Sequence, residues 1–204
     1  IVGAPLDAST SFIPGTRFGP ERIRHAATGF EDYDHRTEQC FTSLSVVDRG
    51  DVRPWADVPA YLELVGEMIG DVRHAEAVPI LLGGEHTVSI AGVRAVEPSH
   101  VVVVDAHLDL RESFDGDPWS HATATHHLLE HVDRVTVLGA RAGIETEWER
   151  ARTDPAITVV EPAGVEEWLA TDAPAEAEPA YLSIDIDGID PGMAPATGTP
   201  EPFG

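Results

Sequence analysis

Three features of the sequence predict an α/β fold: a three-layer α/β/α arrangement around a mainly parallel sheet. Short β-branched runs alternate with longer helical patterns along the chain. Most of these runs are continuously apolar rather than alternating, as strands covered on both faces are. Strand, helix and strand follow one another often enough to build right-handed βαβ units.

The elements justify this reading in order. Ile1–Ala4 is an apolar run ahead of Pro5, and Leu44–Asp48 is a second candidate strand. Val58–Arg73 places Val58, Leu62, Val65 and Ile69 at spacings of three and four, a helical stripe. Pro79–Leu82 runs into a Gly-Gly turn, after which Thr87–Val96 reads as a helix. Four consecutive valines open the strand Val101–Asp105. Thr123–Val132, Glu145–Ala151 and Val165–Ala170 are shorter helices, separated by the strands Arg134–Gly139 and Ile157–Val160. Thr171–Pro179, rich in Ala, Pro and Glu, is expected as a surface loop before the strand Ala180–Asp185. There is no internal repeat.

The 204 residues, 42% hydrophobic, suffice for one sizeable core, and a single domain over residues 1–204 is expected. Ile1 opens inside a strand-like run and Thr199–Gly204 closes in a loop-like one, so both ends read as truncated. No apolar run reaches membrane-spanning length, and no signal peptide is visible. The single cysteine, Cys40, leaves no intrachain disulfide or multi-cysteine metal site and suits a reducing cytoplasm. Acidic residues number 36 against 13 basic ones, all Arg, for a formal net charge of −23. No basic patch exists for nucleic acid. The acids are dispersed among structured runs, unlike those of a disordered tail. They fit a halophilic protein in a salt-saturated cytoplasm, where a Debye length of about 3 Å screens self-repulsion.

Ligands of open α/β sheets bind beyond the carboxyl ends of the strands, and three such ends carry His and Asp. Leu81-Leu82-Gly83-Gly84-Glu85-His86 takes a strand into a glycine turn, Val103–Asp109 ends in Asp-x-His-x-Asp, and Ser183–Asp187 ends in Asp-x-Asp. Alternate positions of an extended segment face one side. Asp105, His107, Asp109, Asp185 and Asp187 are therefore expected to converge, with His86 as a sixth ligand. Carboxylates and imidazoles without sulfur match a pair of hard-to-borderline divalent ions, manganese ahead of copper or structural zinc. One Asp-x-His-x-Asp alone is equally a satisfied polar strand end; three such ends would crowd carboxylates at a large electrostatic cost without metal. An EF-hand over Asp185–Asp190 fails because its last loop position is Ala196 instead of Glu.

On these motifs the chain resembles the ureohydrolase family, the arginases, agmatinases and related guanidino hydrolases, over almost its whole length. Pro5-Leu6-Asp7, Pro14–Pro20 and Ile23-Arg24 are similar to the family's N-terminal segment. Gly83–His86, Asp105–Asp109 and Ser183–Pro191 match its metal motifs, and Pro195–Pro200 its Pro-x-Thr-Gly-Thr-Pro stretch. Glu85 departs, standing where many members carry Asp. The resemblance implies two Mn²⁺ per subunit, one on His86, Asp105, Asp109 and Asp185 and the other on Asp105, His107, Asp185 and Asp187. It implies that a hydroxide shared by the ions attacks the guanidinium carbon, and that Asp109 passes its proton to the leaving amine. His121, in Ser120-His121-Ala122-Thr123, matches the family's histidine near the active-site mouth, an expected proton shuttle. Its plainer reading is a helix-start histidine, in a stretch that also holds His126, His127 and His131.

Arg111 stands where arginases have Asn, and Ala140-Arg141-Ala142 lacks the acid expected for an α-ammonium group. The resemblance therefore favours agmatine, cleaved to putrescine and urea in polyamine biosynthesis, with guanidinobutyrate or arginine as alternatives. It further implies a small cationic guanidino substrate and a homotrimer or hexamer. An eighth strand, added to the seven visible, and a guanidinium-holding glutamate are expected beyond Gly204. The rivals are a one-zinc deacetylase of the same architecture, which would not need six ligands, and an inactive metal-binding relic.

Overall fold

In a computed structural model describing residues 1–53, 57–175 and 178–204, the apolar runs become short parallel strands. In chain order the strands are β1 (Val2–Ala4), β2 (Tyr33–Asp34), β3 (Gln39–Cys40), β4 (Leu81–Gly83), β5 (His100–Val104), β6 (Arg134–Leu138), β7 (Ile157–Val160) and β8 (Ala180–Ile184). The helices are α1 (Gly19–Ala27), α2 (Val58–His74), α3 (Ser89–Val96), α4 (Ala124–Leu128), α5 (Glu145–Thr153) and α6 (Val165–Thr171). β1 pairs with β4, and a larger parallel sheet runs β7-β6-β5-β8. β2 and β3 form a small antiparallel hairpin.

The valine run of β5 shows why alternation is missing. Val101 and Val103 pack with Val135 and Val137 of β6 against apolar side chains of α2, α3, α4 and α5. Val102 belongs to a second cluster on the opposite face, with Leu138 and Trp168 of α6. Successive strand residues point to opposite faces, so both faces demand apolar side chains and the three-layer expectation is met. Each fully buried Val or Leu contributes about 1.5–3 kcal/mol relative to exposure. The stripe on α2 behaves as its spacing predicts: Leu62, Val65 and Ile69 are buried, and Asp57 caps the helix by accepting the Ala60 N–H at 3.2 Å.

Leu44–Asp48 is a correction, because this run does not form a strand. It lies beside β1 and bonds with it through Ile1 N–H to Val47 O and Arg49 N–H to Ile1 O. The pairing is offset by one residue where Gly50 takes a positive φ of 75° and its N–H turns to Asp48 Oδ1. It resumes as Gly3 N–H to Gly50 O and Val52 N–H to Gly3 O, leaving an isolated bridge instead of a strand. Val46 and Val47 remain exposed, as fits an edge segment with one neighbour. The helix expected over Thr123–Val132 shortens to α4, since His121–Thr123 forms a 3₁₀ turn ahead of it. Thr171 belongs to α6, and the loop expected through Pro179 includes positions 176 and 177, outside the described residues. α1 and the hairpin are additions; Pro20 in the first turn of α1 was the available signal. Among the described residues no helix is long and apolar enough to cross a membrane.

Candidate metal centre

Register brings the motifs together. Val104 of β5 pairs with Ile184 of β8, so Asp105 and Asp185 leave neighbouring strand ends at one level. Asp105 N–H donates to Leu138 O and Asp185 N–H to Val104 O, which continues the ladder into the site. The glycine turn after β4 lies against the 4–6 segment: Gly84 N–H donates to Ala4 O, and a Cβ on Gly84 would fall 1.9 Å from Leu6 O. Only glycine fits there, and the turn delivers His86 inward.

Two groups form around one shared carboxylate. His86, Asp105 and Asp109 are buried together, and Asp105 also groups with His107 and Asp187. His86 Nδ1 lies 3.0 Å from Asp105 Oδ2 and 2.9 Å from Asp109 Oδ2. His107 Nδ1 lies 3.0 Å from Asp187 Oδ2 and 3.6 Å from Asp105 Oδ1. His86 Nε2 lies 3.2 Å from Ser183 Oγ, and Thr199 donates to Asp187 Oδ2 at 2.9 Å. Such outer contacts fix ligand orientation. Asp185 lines the same cavity but stands outside both groups, one of its oxygens accepting the Asp187 N–H at 3.1 Å.

The electrostatics call for cations. Burial, with the charges of Asp105 and Asp187, pushes the Asp185 carboxyl up to about 8. Burial, with the charge of Asp105, raises Asp109 to about 6. Burial opposes charge on the imidazoles, yet hydrogen bonds to Asp105 and Asp187 lift His107 to about 11, and Asp105 with Asp109 lifts His86 well above its ordinary value. Burial acts against Asp105 as well, but its two histidines hold it ionised. Asp105 Oδ2 is buried and has no well-aligned hydrogen bond, although His86 Nδ1 stands 3.0 Å away. A buried anionic oxygen beside two imidazoles and two carboxyls of raised pKa fits a divalent ion that would take the place of protons.

The cavity above holds about 340 Å³ and is lined by Asp109, Arg111, Phe114, His121, Glu147 and Glu201 among others. The structure thus places His121 on the cavity wall. Glu147 and Glu201 were not singled out by sequence. Glu147 is buried and takes the Leu110 N–H at 3.0 Å, the Ile144 N–H at 2.9 Å and Arg111 Nε at 3.4 Å. Glu201 lies 3.6 Å from His107 Nε2. A further group, His126 and His127 of α4 with Glu130 in the turn after it, draws together. Arg150 donates to His126 Nδ1 at 2.7 Å, leaving that ring's proton on Nε2 and withdrawing it as a ligand.

With this geometry in hand, the comparisons define the class: residues 1–204 match the arginase family model, and the chain belongs to that family. It is a hydrolase of carbon–nitrogen bonds, of the ureohydrolase kind. It is 36% identical to the agmatinase of Pyrococcus horikoshii, over 100% of this chain and 73% of that protein. It is 37% identical to the N(1)-aminopropylagmatine ureohydrolase of Thermococcus kodakarensis, over 100% and 72% of the two chains. The agmatine ureohydrolase structure from Thermoplasma volcanium superposes with a TM-score of 0.88 at 30% identity, over 100% of this chain and 71% of that one.

Proposed function

We propose that the chain hydrolyses agmatine to putrescine and urea at two manganese ions held by His86, Asp105, His107, Asp109, Asp185 and Asp187. The observation that carries this reading is Asp105, buried and shared by two groups whose other members, His86, Asp109, His107 and Asp187, line one cavity. Two divalent ions, when bound, supply Lewis acidity and bring the pKa of a water into the working range. Asp109 accepts a proton from the attacking water and passes it to the leaving amine. His121 exchanges protons between the cavity and solvent. Glu147 is engaged by Arg111 and by backbone donors, which leaves Glu201 as the lining carboxylate turned to a cationic substrate. Arg111, spread over the Phe114 ring at 4.8 Å, closes the outer wall. A cytoplasmic, high-salt setting and assembly with further copies belong to the same reading.

Guanidinobutyrate is the second reading, because the Arg111 guanidinium lines the cavity and would attract a carboxylate. Its pairing with Glu147 favours agmatine. The test is urea release from agmatine, aminopropylagmatine, guanidinobutyrate and arginine, compared by kcat/KM. Agmatine is expected to lead; a lead for guanidinobutyrate would transfer the assignment to the acid, and silence with all of them would end it.

A further inference from the structure

The usefulness of His121 depends on which ring nitrogen carries the hydrogen. The surrounding groups decide this by proton counting. Ser9 Oγ lies 2.6 Å from Glu85 Oε2 and 3.1 Å from His121 Nδ1, and it accepts the His121 backbone N–H at 2.9 Å. A serine hydroxyl has one proton to give, and a carboxylate only accepts. The Ser9 proton therefore points to Glu85. Glu85 Oε1 is held by the Ser9 N–H at 2.6 Å, so one residue engages both carboxylate oxygens. With the serine proton committed, Ser9 and Nδ1 form a hydrogen bond only if Nδ1–H donates. The other hydroxyl beside Nδ1, Ser120 Oγ, is farther at 3.4 Å and accepts the Ala122 N–H, so the 3.1 Å contact to Ser9 sets the ring's preference. Nε2 is then the bare nitrogen, 3.3 Å from Ser11 Oγ, and both His121 and Ser11 line the cavity.

We propose that Glu85 and Ser9 are a positioning pair that locks His121 in its Nδ1–H tautomer and presents Nε2 to the cavity as the proton acceptor. This deepens the reading of His121 as the proton shuttle and rests on it. Glu85 is 5% exposed, so little solvent competes for its carboxylate.

The test is ¹⁵N NMR of the histidine side chains in the full chain, free of paramagnetic metal, with His121 assigned by the signals lost in His121→Gln. The neutral His121 ring is expected to be protonated on Nδ1. In Glu85→Gln the amide oxygen must still accept the Ser9 N–H, which turns the amide NH₂ toward Ser9 Oγ. The serine proton then swings to Nδ1, and the tautomer is expected to reverse. Ser9→Ala removes the link and is expected to give a mixture. A wild-type ring protonated on Nε2 overturns the proposal, as does an unchanged Nδ1–H tautomer in both Glu85→Gln and Ser9→Ala. The wild-type spectrum decides by itself if a variant fails to fold. Neither substrate nor metal enters the measurement, so its failure and a failure of urea release are separate results.

Discussion

Asp109 combines burial, a left-handed φ of 50° and a carboxyl raised to about 6, by burial first and then by the charge of Asp105. Non-glycine residues in that backbone region cost about 1–3 kcal/mol and persist where surrounding structure enforces them. Asp109→Asn is expected to lower kcat for urea release about 10²–10⁴-fold, the range of general acid–base catalysis. Unchanged turnover would remove Asp109 from the proton path. Glu201→Gln should instead raise KM for agmatine with a smaller effect on kcat, and an unaltered KM would separate Glu201 from the substrate. The metal-free cluster also dictates a pH response. Asp185, raised to about 8, and His107, raised to about 11, stabilise the metal-free fold at low pH, and that contribution is lost as pH rises through those values. Chelated protein is therefore expected to unfold at a lower temperature at pH 9 than at pH 6, while manganese removes the difference. Thermal unfolding at both pH values checks this, and an opposite slope would contradict the placement of these protons.

Among the loops, Arg141 beyond β6 gives every guanidinium N–H to a backbone carbonyl. Nε reaches Pro202 O, Nη1 reaches Gly139 O and Gly188 O, and Nη2 reaches Asp187 O and Glu201 O, all at 2.7–3.1 Å. The end of β6 is thereby fastened to the turn bearing Asp187 and to the segment bearing Glu201. Lysine cannot reproduce this planar fork. Arg141→Lys is expected to weaken manganese binding about 10–100-fold, as loss of an orienting contact does, without changing helix content by circular dichroism. Unchanged affinity would show that the turn holds its ligands unaided. The strand ends themselves were legible in the sequence, because burial on both faces writes β5 as unbroken valine and the ligands follow at alternate positions. Leu44–Asp48 carries a similar composition, yet the bend at Gly50 shifts its pairing with the first strand by one residue, a local event that apolar runs do not record. Ser9, Arg141, Glu147 and Glu201 acquire their roles from contacts as distant as Ser9 to His121, 112 residues apart, which no periodicity encodes.

At the scale of the whole molecule, 36 acids against 13 arginines leave a net charge of −23 that ion pairing cannot balance. Self-repulsion of that size disfavours the compact state, and salt screens it. The salt-adapted reading predicts a higher unfolding temperature and higher turnover in molar KCl than in dilute buffer; indifference to KCl would contradict it. The fold gathers at one cavity the groups that could hold metal ions. The most direct test of the central claim is urea release from agmatine, followed as manganese is returned to fully chelated protein and counted per chain. Activity is expected to be absent without metal and to rise until two ions are bound. Urea release that survives chelation, or that saturates with one ion bound, would contradict the account.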